Sequence, residues 1–116
     1  MNVEEVRAYC LLKPGVEECL PFDDETLVFK IGGKIFALLS LDGKPAINLK
    51  CDPEKAIDLR EHYEYVTPGY HMNKKHWNTI DLTLAGDNKQ ITEWIDHSYE
   101  LVIRSLPGKL KEKIIK

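Results

Sequence analysis

"TLVFKIGGKIFALLSL", residues 26–41, decides the fold class. Leu27, Phe29 and Ile31 alternate with polar or smaller residues, the period-two signature of a strand with one buried face. Gly32-Gly33 comes next. A tight two-residue hairpin needs positive φ at both central positions, which glycine adopts without a Cβ penalty. Ile35 to Leu41 reads as a second strand, more continuously apolar and therefore central. "DGKP", residues 42–45, marks another turn, and "AINLKC" a third strand with Ile47 and Leu49 on one face. Three consecutive strands with short turns make an antiparallel meander.

Helical patterns flank the meander. Asn2 followed by Glu5 is a capping-box pair, and Val3, Val6 and Cys10 share one face of a first helix that Pro14-Gly15 ends. Residues 16–25 are acidic, contain Pro21 and read as a loop. Asp52 and Pro53 start a second helix at its cap and first position. Residues 76–83 alternate as a strand returning to the sheet edge, with a further short strand near 64–71. From a cap at Asp87 or Asn88, Ile91, Trp94, Ile95, Ser98, Val102 and Leu106 form the stripe of a long helix. Pro107-Gly108 breaks it, and "KLKEKIIK" reads as a short basic terminal turn. The order α-β-β-β-α-β-α predicts an α+β two-layer sandwich, an antiparallel sheet packed by helices.

The totals fit one domain over residues 1–116, with 43% hydrophobic and 30% charged residues. No apolar run approaches the roughly 18 residues of a membrane span, and the N-terminus lacks a basic-then-apolar signal. These features predict a monomeric cytoplasmic protein without membrane partners. Cys10, Cys19 and Cys51 are odd in number and lack a Cys-x-x-Cys pair, which predicts reduced thiols rather than a disulfide framework. Net charge is −3 but uneven. Residues 1–30 hold seven acids against three bases, whereas 104–116 hold five bases against Glu112. An acidic chain can therefore carry a basic face.

"PGYHMNKKHW", residues 68–77, is the densest polar and aromatic stretch. His71 and His76 are five apart, which matches neither a helical zinc pair nor a Cys-paired ribbon, so no metal or cofactor is expected. Asp96, His97 and Ser98 are consecutive on a helix, point about 100° apart and cannot form a triad. Cys51 precedes a helix N-terminus, where a dipole lowers a thiol pKa, but burial is the simpler reading. No enzyme activity is expected.

Five blocks, "CLLKPGVEECLPF", "VFKIGGKIFALL", "NLKCDPEKA", "PGYHMNKKHWNTI" and "DHSYELVIRSLP", resemble in order those of the MmcQ/YjbR family. The resemblance covers essentially the whole chain. It implies a compact α+β domain similar to frataxin (CyaY-like) and a DNA-binding role. An iron-binding acidic ridge of the frataxin kind would draw on Glu4, Glu5, Glu17, Glu18, Asp23, Asp24 and Glu25, which read more simply as a solvated acidic segment.

Three readings of the 68–77 stretch follow. For DNA, Lys74 and Lys75 neutralise phosphates, Asn73 hydrogen-bonds a phosphate or base edge, and His76 and Trp77 stack on bases; Arg104, Lys109 and Lys111 add contacts if the C-terminal end folds nearby. As a pocket for a small ligand or protein segment, Tyr70, His71, Asn78, Ser98 and Tyr99 converge. As a clasp, the same hydroxyls and imidazoles tie the loop to the long helix. The clasp is the leading reading of the stretch itself, and DNA contact through its exposed lysines and the basic C-terminal end is the leading expectation for function.

Overall fold

The computed structural model describes residues 1–19, 25–41, 43–69 and 73–115. Among them, helices α1 (Val3–Leu12), α2 (Pro53–His62), α3 (Asn88–Ser105) and α4 (Gly108–Ile115) accompany strands β1 (Val16–Cys19), β2 (Thr26–Ile31), β3 (Lys34–Ser40), β4 (Ala46–Lys50), β5 (Val66–Pro68) and β6 (Trp77–Asp81). The strands form one antiparallel sheet in the order β1-β2-β3-β4-β6-β5. The fold is the expected α+β sandwich.

Its centre is the predicted hairpin. Gly32 and Gly33 have φ of 59° and 81°, the positive pair that closes β2 onto β3. Leu39, Ile47, Ile80 and Val66 stand side by side across β3, β4, β6 and β5 and enter one core with Val6 and Cys10 of α1 and the apolar face of α3. The capping box at Asn2 and Glu5 is present, and Asp87 caps α3 by accepting from Lys89 N at 2.9 Å. Asp52 sits at the cap position of α2, with Pro53 next, but its side chain makes no capping hydrogen bond.

Three expectations change. Val16–Cys19 is a strand rather than a loop: pairing with β2 overrides its acidic composition, and Arg7 holds Glu18 in a bidentate ion pair at 2.5 and 3.0 Å. Asp23 and Asp24 lie outside the described residues. The returning strand β6 is not an edge strand; β5 pairs outside it and carries the Pro68 that suits an edge. The C-terminal segment is an eight-residue helix, not a turn. A Cβ built on Gly32 would lie 2.8 Å from Leu106 and 3.1 Å from Leu110, and one on Gly15 would lie 3.1 Å from Ile114. Glycines therefore let the α4 side approach both turns closely.

One register irregularity organises the interior. Phe29 pairs with Ala37 while Lys30 pairs with Ile35, so Phe36 is an extra residue in β3. The β3–β4 ladder runs from Ser40–Ala46 to Ala37–Leu49 and stops there. Beyond it, the buried Ser98 hydroxyl donates to Phe36 O at 2.5 Å and accepts from Lys50 N at 2.9 Å. The bulge also lets Phe36 join Ala37 in the helix-covered core, where its ring meets Tyr99 edge-on at 5.5 Å.

Ser98→Ala would strip partners from two backbone groups in the interior. We expect a loss of about 2–3 kcal/mol in urea unfolding, with the fold retained. A loss below about 0.5 kcal/mol would contradict this role for the hydroxyl.

Candidate nucleic-acid interface

The loop entering β6 is built by its own backbone and by α2. Asn73 Oδ1 accepts from Lys75 N at 2.8 Å, while Asn73 O accepts from His76 N at 3.1 Å and Trp77 N at 3.0 Å. Asn73 is therefore a turn former, which is what its side chain does best locally. His76 O accepts from Cys51 N at 2.6 Å, tying the loop to the end of β4. Lys74 and Lys75 project from this frame as exposed side chains.

Arg60 of α2 holds the loop from beneath. Its Nε donates to Asn78 Oδ1 at 2.6 Å, and its Nη2 donates to Trp77 O at 3.2 Å and to Lys74 O. Asn78, 2% exposed, also donates to Ala56 O at 3.4 Å. A planar guanidinium suits such a forked set of acceptors. Arg60 does not stand out in the sequence; its spacing of 14 to 18 residues from its partners carries no local signal.

The other predicted site residues separate into exposed cations and buried structural groups. Trp77 is 6% exposed, so its ring is not available for base stacking, contrary to expectation. Ser98 and Tyr99 are committed to contacts away from the described loop residues. Ser98 sits between β3 and β4, and Tyr99 OH donates to Pro14 O at 2.6 Å. Tyr70 and His71 lie outside the described residues. Beside Asn78, a cavity of about 10 Å³ is bounded by Leu49, Cys51, Leu59, Trp94 and His97, space for about one water. A cleft of about 530 Å³ lined by Met1, Val3, Pro45 and Leu82 opens at the other end of the sheet.

The basic residues share one sheet end. Lys50 at the end of β4 pairs with Trp77 at the start of β6, so the Lys74-Lys75 loop sits at that end. The Gly32-Gly33 turn at the start of β3 occupies the same end, and Leu106 and Leu110 pack against it. Arg104 and Lys109 are exposed there and Lys111 is half-buried. Lys34 Nζ bonds Ser105 Oγ at 3.3 Å. Two strand spacings, about 10 Å, separate β3 from β6 across the sheet at this end. Among the described residues, the ion pairs are Arg7–Glu18, Lys13–Asp96 and His62–Asp58, so none of these basic residues is paired with an acid.

Burial fixes the chemistry of the neighbouring titratable groups. It pushes the Cys51 thiol above its ordinary pKa, opposed by Lys55, and raises Cys10 to about 12. Both read as structural thiols rather than nucleophiles. Burial lowers His97, and Lys55 and Arg104 push the same way against Asp52. Neutral His97 accepts from Asp52 N at 3.3 Å through Nε2. No group of three His, Cys, Asp or Glu side chains converges on a metal position among the described residues. No helix among them is long and apolar enough to cross a membrane.

The sequence profile of YjbR matches residues 11–101. The chain belongs to the YjbR family. It is 41% identical over 112 residues to the uncharacterised protein YbdF of Escherichia coli O157:H7, covering 96% of this chain and 92% of that one. It is 32% identical over 116 residues to uncharacterised YjbR of Escherichia coli K12, covering 99% and 98%. The crystal structure of a Deinococcus radiodurans protein with a DUF419 domain matches with a TM-score of 0.89 at 35% identity, covering 97% of this chain and 87% of that chain. A Pseudomonas syringae crystal structure matches at 0.77 and 29% identity, covering 87% and 98%. In this YjbR-family chain, the blocks that carry the family resemblance include the structural contacts of Lys13, Pro14, Asn78, Ser98 and Tyr99.

In an NMR pH titration, His62, raised by its bonds to Asp58, should titrate above about 6.5 and His97 below it. The folded pKa of His97 lies under its unfolded value. Its contribution to stability is therefore complete above about pH 6.5 and is lost as pH falls through the folded value. His97→Gln should flatten that part of the stability profile; an unchanged profile would contradict the assignment.

Proposed function

We propose that this YjbR-family protein binds duplex DNA without catalysing a reaction, holding it by its phosphates. The observation that carries the reading is the gathering of Lys74 and Lys75 with Arg104, Lys109 and Lys111 at one end of the sheet, free of carboxylate partners among the described residues. Lys34, Lys50 and Lys55 widen the same end. The strands that lead into the two clusters, β3 and β6, lie about 10 Å apart, close to the screening length at 0.1 M salt, which favours their acting on one stretch of backbone.

The chemistry favours phosphates over bases. Trp77 is buried, Asn78 is bound to Arg60, and Asn73 spends its oxygen on the turn. Among the described loop residues, Lys74 and Lys75 are exposed, and their positive charge positions a duplex without reading its sequence. Asp52, Glu54 and Glu112 dilute the field, and the net charge of −3 makes the contact weak and salt-sensitive.

Titration of a labelled duplex at several salt concentrations tests the reading. The log–log slope should be about −3 to −5, and Lys74→Ala with Lys75→Ala should flatten it by up to about 2. Absence of binding at low salt, or a slope the double variant leaves unchanged, would reject it.

A further inference from the structure

Arg60 is the cation at this end that spends its guanidinium on protein. It reaches Lys74 O, Trp77 O and Asn78 Oδ1, acceptors spread over the loop, the first residue of β6 and the second. None of the three is a carboxylate, and no acid pairs with Arg60 among the described residues. The fork therefore fixes geometry while the positive charge stays uncompensated beneath the lysines. The carbonyl it grips belongs to Lys74 itself, so the bond restrains the backbone from which that side chain projects. α2 is in turn anchored by Ala56, whose carbonyl accepts from Asn78.

We propose that Arg60 is the positioning residue of the phosphate-binding loop: it couples α2 to the backbone of Lys74 and sets where Lys74 and Lys75 meet an anion. The functional half of this rests on the phosphate-binding reading above; the structural half does not. A lysine at this position retains the charge but presents one compact ammonium in place of a fork, so it cannot serve all three acceptors with the same geometry.

The test uses the full chain with Arg60→Lys, the Lys74→Ala/Lys75→Ala pair, and the three changes together. Amide hydrogen exchange at Lys75, His76 and Trp77 should accelerate about tenfold in Arg60→Lys, with the core amides of α3 unchanged. Duplex affinity should fall about fivefold, and the same change should have no further effect once both lysines are gone. Unchanged exchange with unchanged affinity overturns the proposal. So does an additive loss in the lysine-free background, which would make Arg60 a phosphate contact in its own right. Should Arg60→Lys not fold, the parent supplies the measurement: the Arg60 Nε–H should exchange far more slowly than that of exposed Arg104, and equal rates overturn the proposal. Accelerated loop exchange in a series that never binds duplex would retain the positioning role and remove the phosphate-binding reading.

Discussion

One hydroxyl sets the position of the long helix. The bulge at Phe36 turns two consecutive β3 side chains into the core, but it interrupts the ladder with β4. Ser98 fills the interruption, donating to one strand and accepting from the other. A buried backbone carbonyl and amide without partners would be costly, so the helix has one favourable axial position over the sheet. Neighbouring contacts agree with that position. Asp96 accepts from Tyr9 and pairs with Lys13, His97 meets Asp52 N, and Tyr99 reaches Pro14. Lys13 also lies 5.0 and 5.7 Å from the ring centres of Tyr9 and Tyr99.

The position of α3 has an electrostatic consequence. With Ser98 between the start of β3 and the end of β4, the last two turns of α3 and the whole of α4 fall at the hairpin end of the sheet. The 73–77 loop enters β6 at that same end. Ion pairing neutralises two other cations: Arg7 with Glu18 and Lys13 with Asp96. The lysines of the loop and of α4 have no ion-pair partner among the described residues, which is how an acidic chain gathers cations at one end. Coverage of the molecule by acids elsewhere affects its long-range field more than its contacts within a Debye length.

Local chemistry made most of the fold legible. The alternation of Leu27, Phe29 and Ile31 and the paired glycines gave the hairpin, and the Asn2, Pro53 and Asp87 signals gave the helix starts. What failed depended on distant partners. Val16–Cys19 is a strand because β2 offers an edge, and α4 is a helix because Leu110 and Ile114 meet glycine turns far away in sequence. The candidate site divides along the same line. Exposed lysines could be read directly, whereas Trp77 and Ser98 looked available until their burial was known. Arg60 went unread because nothing in its own helix points to residues 74–78.

The account depends on the hairpin end of the sheet being the surface that meets a polyanion. Backbone NMR of the protein during addition of a short duplex at low salt tests this most directly. The expected result is a set of shift changes confined to residues 73–76 and 104–111 and reversed by added salt. Changes centred on the cleft at Met1, Pro45 and Leu82, or none at all, would contradict it.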